Sequence, residues 1–113
     1  MAAGIIEISE QCIADVGVDP EVMAILRRTE VPDTNQYKRV PEFVYCAYNR
    51  CGLCEDNGRV KIDKILDIYP SSSDKEAIRK LMVDCDKMGN DPIDTIFKYV
   101  KCFYGFTPEK LVF

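Results

Sequence analysis

Cysteine is the residue type in this chain whose number and spacing could do chemistry. There are six cysteines in 113 residues, and there is no histidine. So many thiols in a short chain favour an oxidising compartment, in which cysteines are oxidised to disulfides. Cys12, Cys46, Cys85 and Cys102 each fall in a segment with a helical pattern. We therefore expect staples between helices, although the spacing alone leaves several pairings open.

The other two thiols, Cys51 and Cys54, form the C-x2-C pair of the sequence. One interpretation is two small buried apolar residues with free thiols. A local or intermolecular disulfide is a second interpretation, and a redox pair is a third that lacks the preceding strand of such motifs. A zinc site is disfavoured because no second C-x2-C pair is present.

Other kinds of reactive site are also disfavoured. Without histidine there is no serine-type triad, no imidazole pH switch and no ligand set of the commonest zinc enzymes. The turn Asp56-Asn57-Gly58 would place Leu53 and Lys64 at the first and last ligand positions of a calcium loop, and neither can bind the ion. Most acidic residues fall on polar helix faces. We expect no catalytic residue, no metal and no cofactor.

Composition predicts one domain, residues 1–113, with one core. The chain is 47% hydrophobic and 30% charged, as is usual for globular proteins. Its formal net charge of −4 disfavours nucleic acid as a partner, and no apolar run is long enough for stable membrane insertion. The residues from Met1 to Gly4 do not resemble a signal peptide. We interpret the chain as the mature form of a secreted, extracellular protein; a cytosolic thiol protein is the competing interpretation.

Helical periodicity recurs along the whole chain and positions the cysteines. Asp19, Asp74 and Asp91 are suited to cap helix starts, whereas Gly17 and Gly105 are expected to end helices. The segment after Asp91 has apolar residues at steps of three and four, so they share one face. The predicted helices cover residues 5–16, 21–28, 41–50, 60–69, 75–85 and 91–104. The third is apolar almost all round and is therefore expected to be central. The predicted fold class is all-α, a compact irregular bundle of six helices without β-strands.

Two motifs and the cysteine spacing carry a family resemblance. The segment Asp-Pro-Ile-Asp-Thr-Ile-Phe-Lys-Tyr-Val-Lys-Cys-Phe and the turn Gly-Leu-Cys-Glu-Asp-Asn-Gly are similar to motifs of the insect odorant-binding proteins, of the general-odorant and pheromone-binding type. The four helical cysteines match that family's first, third, fourth and sixth. Its second and fifth would fall at Glu42 and Ile93, so the chain resembles the C-minus subclass, which lacks both. The resemblance covers residues 5–113.

The resemblance implies bridges Cys12–Cys46 and Cys85–Cys102, six helices around an apolar cavity, and reversible carriage of a small lipophilic molecule. It also implies that the last residues, to Phe113, can form part of the cavity wall. We expect a monomer or weak dimer. Two alternatives remain: a saposin-like lipid- or membrane-interacting helical protein, and a secreted protein on the same fold that binds a partner.

For a carrier, the lining of the cavity is the site. The predicted ligand-binding residues are apolar or aromatic and share helix faces: Ile5, Ile8, Ile65, Leu66, Tyr69, Ile78, Met82, Ile96, Phe97, Val100, Tyr104 and Phe113. Each of them could equally be ordinary core. The hydroxyls of Tyr48, Tyr69 and Tyr104 could reach a carbonyl or alcohol of a ligand.

Overall fold

The computed structural model describes residues 3–28 and 30–106. Within them lie six helices, in the predicted order: α1 (Ala3–Val16), α2 (Glu21–Arg27), α3 (Val40–Arg50), α4 (Ile62–Leu66), α5 (Lys75–Cys85) and α6 (Pro92–Phe106). The described residues contain no β-strand, only an isolated antiparallel bridge between Cys54 and Val60. The all-α prediction is therefore confirmed, with principal extents of 36 × 31 × 23 Å.

Aspartate side chains cap three of the helices as expected. Asp19 Oδ1 accepts a hydrogen bond from Glu21 N at 2.9 Å. Asp74 Oδ1 accepts one from Ala77 N at 3.2 Å, at the start of α5. Asp91 Oδ1 accepts one from Asp94 N at 2.8 Å, at the start of α6. Each carboxylate satisfies an N–H group that has no partner inside its helix.

Several helix boundaries differ from the prediction by one to three residues. The fourth helix is shorter than residues 60–69, because Val60 pairs with Cys54 and Lys61 N donates to Leu53 O at 2.8 Å. Gly105 does not end α6, which continues to Phe106. Glycine lowers helix stability without blocking the hydrogen-bond ladder, so packing of the rest of α6 can carry the helix through it. Gly17 does end α1, with a φ of 81° in the left-handed region.

Helix α3 lies at the centre of the molecule, as its apolar surface predicts. It packs against α1 on one side and α6 on another, while α5 packs against α6 and α4. Phe43, Val44 and Tyr48 of α3 are each 1% exposed or less. The core therefore forms where α3 meets α6.

All six cysteines are described, and four of them form the two bridges that the resemblance implies. Cys12–Cys46 joins α1 to α3 with a Cα–Cα distance of 5.9 Å, and Cys85–Cys102 joins α5 to α6 at 5.6 Å. Each bridge links helices that already pack together, and closing such loops stabilises a domain by roughly 3–4 kcal/mol each in the chain-entropy model. A saposin-like fold pairs cysteines near the two termini, so this pairing does not match that alternative.

No helix in the described part of the chain is both long and apolar enough to cross a membrane.

Candidate functional site

The inward face of α6 contributes more buried side chains to the candidate site than any other helix face. Ile96, Val100 and Phe103 are each fully buried, and Phe97 is 7% exposed. Asp91 and Pro92 start the helix, and the Cys85–Cys102 bridge fixes its second half against α5. The predicted apolar stripe of α6 thus faces the interior.

The residues predicted for the lining from the fourth helix onward all enter one continuous core cluster: Ile65, Leu66, Tyr69, Ile78, Met82, Ile96, Phe97, Val100 and Tyr104. Ile5 is partly buried and packs against that cluster, and Ile8 is partly buried. Phe113 lies outside the described residues, so its predicted place in the wall stays a prediction. Burial places the described members of this set in the interior of the molecule.

Sequence reasoning missed two residues of this region, Tyr99 and Ser9. Tyr99 is 2% exposed, and its ring stacks on that of Phe103 at a centroid distance of 5.5 Å. The sequence did carry a signal for the burial of Tyr99, because Tyr99 lies three residues after Ile96 and therefore shares its helix face. Ser9 is fully buried on α1, where its position four residues after Ile5 and three before Cys12 places it on the apolar face.

Four tyrosines supply most of the buried hydroxyls of this interior. We call Tyr48, Tyr69, Tyr99 and Tyr104 the tyrosine cluster. The hydroxyls of Tyr48 and Tyr104 lie 3.5 Å apart in a buried hydrogen bond. Every pair among the four phenols is close enough to interact electrostatically. Burial, followed by the neighbouring phenols, raises the pKa of Tyr48 and of Tyr99. Burial likewise raises the pKa of Tyr104, against the opposing effect of its bond to Tyr48. These phenols stay uncharged at physiological pH.

Two buried hydroxyls have no hydrogen-bond partner among the described residues, those of Ser9 and Tyr99. Buried polar groups in proteins are nearly always paired with protein or water. The interior therefore contains hydroxyl groups that could still form a hydrogen bond with a bound molecule.

Cys51 and Cys54 are free thiols, so they do not form a disulfide with each other. Cys54 is 2% exposed, and burial raises its pKa to about 11. Burial also raises the pKa of Cys51. Redox cysteines need a lowered pKa, because the thiolate is the reactive form. These pKa shifts disfavour the redox interpretation. Cys54 is buried, as the first interpretation expects, whereas Cys51 is only partly buried.

The arrangement suits binding of a small molecule. Among residues 3–28 and 30–106 there is no group of histidine, cysteine or acidic side chains that could hold a metal ion. The buried polar side chains carry uncharged hydroxyls, and the other buried side chains are aliphatic, aromatic or cysteine. An apolar interior with a few polar groups is typical of sites for small, mostly apolar ligands.

The comparisons with known proteins agree with this description. The PBP/GOBP family model matches residues 1–105. A crystal structure of a medfly odorant-binding protein superposes with a TM-score of 0.68 at 22% identity, covering 94% of this chain and 90% of that one. Odorant-binding protein 7 from Anopheles gambiae, which has four disulfide bridges and is in complex with an azo compound, gives a TM-score of 0.65 at 19% identity, covering 90% and 81%. No curated protein sequence matches the chain.

Proposed function

This chain belongs to the PBP/GOBP family, whose members are carriers of small molecules, and on that premise we propose that it is a secreted carrier with an interior cavity. The cargo is a small, lipophilic, mostly uncharged molecule that enters and leaves without reacting. The chain has two disulfides, which fits the C-minus subclass. A monomer or weak dimer suffices for such a carrier.

The observation that carries this proposal is the joint burial of the apolar residues of α4, α5 and α6 in one core cluster with the four tyrosines. Met82, Ile96 and Val100 are fully buried at this meeting of helices. Methionine adapts its shape to its neighbours, which suits a wall that must accept different ligands. Burying roughly 200–300 Å² of ligand surface would supply about 5–8 kcal/mol before the costs of association, so we expect micromolar affinity.

A displacement assay tests the proposal directly. Uptake of the apolar fluorescent probe N-phenylnaphthylamine would be measured first, followed by its displacement by a panel of uncharged lipophilic compounds. We expect uptake and displacement at micromolar concentrations. No uptake of any probe by correctly folded protein would contradict the carrier proposal.

A matched pair of substitutions locates the cavity. Val100→Phe adds an aromatic ring to a fully buried position, whereas Val83→Phe makes the same change where the side chain is 56% exposed. We expect Val100→Phe to weaken probe binding about tenfold by occupying ligand volume, and Val83→Phe to leave it unchanged. Circular dichroism would establish that both variants fold. Equal binding by a folded Val100→Phe variant and wild type would place the ligand elsewhere.

A further inference from the structure

The tyrosine cluster brings polar atoms from three parts of the fold to one buried place. Tyr48 comes from α3, Tyr69 from the turn after α4, and Tyr99 and Tyr104 from α6. None of the four is more than 6% exposed. Phenol groups usually extend their hydroxyls to the surface or to a hydrogen-bond partner. Four phenol groups converge inside this small core. Burial of apolar area alone does not explain this arrangement, because it does not require the hydroxyls.

Hydrogen bonding inside the cluster is incomplete. One bond joins Tyr48 and Tyr104, and at 3.5 Å between the oxygens it is longer than a typical hydroxyl–hydroxyl bond. The Tyr99 hydroxyl accepts and donates no hydrogen bond among the described residues, although it is buried beside the other three. A buried O–H group without an acceptor is unfavourable, so a molecule that supplies an acceptor there would bind more tightly.

The charges around the cluster decide which acceptor fits. Among the described residues, the groups that act electrostatically on Tyr48, Tyr99 and Tyr104 are phenols, the Cys54 thiol and the Asp86 carboxylate. No lysine or arginine is among them. Asp86 is itself held by Arg59, through bonds of 2.8 and 2.9 Å. A carboxylate ligand would therefore enter this place without a cation to offset its loss of hydration, which is strongly unfavourable.

From these contacts we propose that the tyrosine cluster is a hydrogen-bond donor subsite that selects uncharged ligands with an acceptor oxygen, such as ketones, aldehydes and esters. The Tyr99 hydroxyl donates to the ligand oxygen, and the Tyr48–Tyr104 pair lies beside it. Hydrocarbons bind without this bond, and carboxylates are excluded by charge. This selectivity rests on the proposed carrier function, because it assumes that ligands reach the interior.

The test compares three compounds of equal chain length, a methyl ketone, an alkane and a carboxylate, as competitors of N-phenylnaphthylamine at neutral pH. We expect the ketone to bind about tenfold more tightly than the alkane, the difference that one well-formed hydrogen bond supplies, and the carboxylate to bind more weakly than either. Tyr99→Phe removes only the hydroxyl and should make the ketone and the alkane equal. Tyr45→Phe is the matched control, because the Tyr45 hydroxyl donates to Asp56 O at 2.9 Å outside the cluster; it should keep the ketone preference.

A spectroscopic measurement gives a second readout. The sequence contains no tryptophan, so its six tyrosines dominate the near-ultraviolet absorbance. Ketone binding should produce a difference spectrum that alkane binding does not, and Tyr99→Phe should remove it.

The outcomes separate this inference from the proposed function. Probe uptake with equal affinity for ketone and alkane, or a ketone preference that survives Tyr99→Phe, overturns the subsite and leaves the carrier intact. A large loss of melting temperature in Tyr99→Phe also overturns it, because the hydroxyl must then be bonded within the protein itself. Failure of all probe uptake contradicts the carrier function first.

Discussion

The Ser9 hydroxyl is fully buried on α1 and has no hydrogen-bond partner among the described residues. Desolvating a hydroxyl without compensation costs about 1–3 kcal/mol. We therefore expect Ser9→Ala to increase the free energy of unfolding by about 1 kcal/mol, measured by urea denaturation.

The control is Ser72→Ala, the same change at an exposed residue between α4 and α5, which should alter stability by less than about 0.5 kcal/mol. A loss of stability in Ser9→Ala would show that the hydroxyl is hydrogen-bonded in the folded protein.

Single residues also show what sequence could and could not predict. The bridges Cys12–Cys46 and Cys85–Cys102 followed from the family resemblance, because only an aligned cysteine pattern distinguishes among the possible pairings. Burial of Ser9 was missed because a serine inside an apolar stripe is usually interpreted as a tolerated polar residue. Its environment depends on how closely α1 approaches its neighbours, which periodicity does not specify.

At the scale of elements, the start of α6 combines a cap with a charged pair. Asp94 Oδ2 accepts a hydrogen bond from Asn90 N at 2.7 Å and lies 3.3 Å from Lys98 Nζ. The hydrogen bond from Asn90, followed by Lys98, holds the pKa of Asp94 below its usual value of 3.8. The folded state therefore binds fewer protons than the unfolded state just below that pH, and the stability that Asp94 contributes is lost as pH falls through its folded pKa.

Asp94→Asn tests whether the stability that Asp94 contributes is lost as the pH falls. We expect the variant to be less stable than wild type at neutral pH, with a difference that shrinks as the pH is lowered below about 4. Unfolding free energies measured across this range would show the convergence. Asp67→Asn, at an exposed residue after α4, makes the same change in net charge and serves as the control for loss of one negative charge. A difference that is constant with pH would contradict the role assigned to Asp94.

The contact between α3 and α6 has no covalent link, although the resemblance places a bridge at Glu42 and Ile93 in related proteins. Both residues are partly buried on helices that pack together. We expect the double variant Glu42→Cys/Ile93→Cys to form a disulfide and raise the free energy of unfolding by roughly 2–4 kcal/mol. Thiol titration of the denatured protein would count the bridges, and Glu42→Cys alone is the control. Thiols that remain free in the double variant would contradict the proposed alignment.

Helix boundaries were predictable where a side chain determines them and not where packing does. Asp74 and Asp91 start α5 and α6 because their carboxylates bond to backbone N–H groups a few residues ahead, an effect local to the sequence. Gly105 failed as an end signal because tertiary packing of α6 outweighs its weak propensity. Val60 lies outside the fourth helix because it forms a β-bridge with Cys54. This contact joins the two arms of a turn, and helical periodicity does not predict such a contact.

At the scale of the molecule, helical periodicity was enough to predict an all-α fold and a buried face on α6. The central place of α3 also followed, since a helix that is apolar all round must be enclosed. The meeting of the four tyrosines in one cluster could not be predicted from the sequence. Tyr48, Tyr69 and Tyr99 meet only because α3, the turn after α4 and α6 converge, and the angles between helices are set by packing of the whole core.

The absence of histidine makes a final prediction about ligand release. Many pH switches act through imidazole, which titrates near pH 6.5, and this chain has none. Burial raises the pKa of the phenols of Tyr48, Tyr99 and Tyr104 above the usual value of 10.0, so these three phenols stay uncharged throughout mild acidification. We expect the affinity for an uncharged ketone to change less than about twofold between about pH 7.5 and about pH 5, and to fall only when carboxylates become protonated nearer pH 4. Probe displacement by the ketone, measured across this pH range with the wild-type protein, gives the affinity at each pH. A sigmoidal loss of binding centred near pH 6.5 would contradict the prediction, because no side chain of the described interior could cause it.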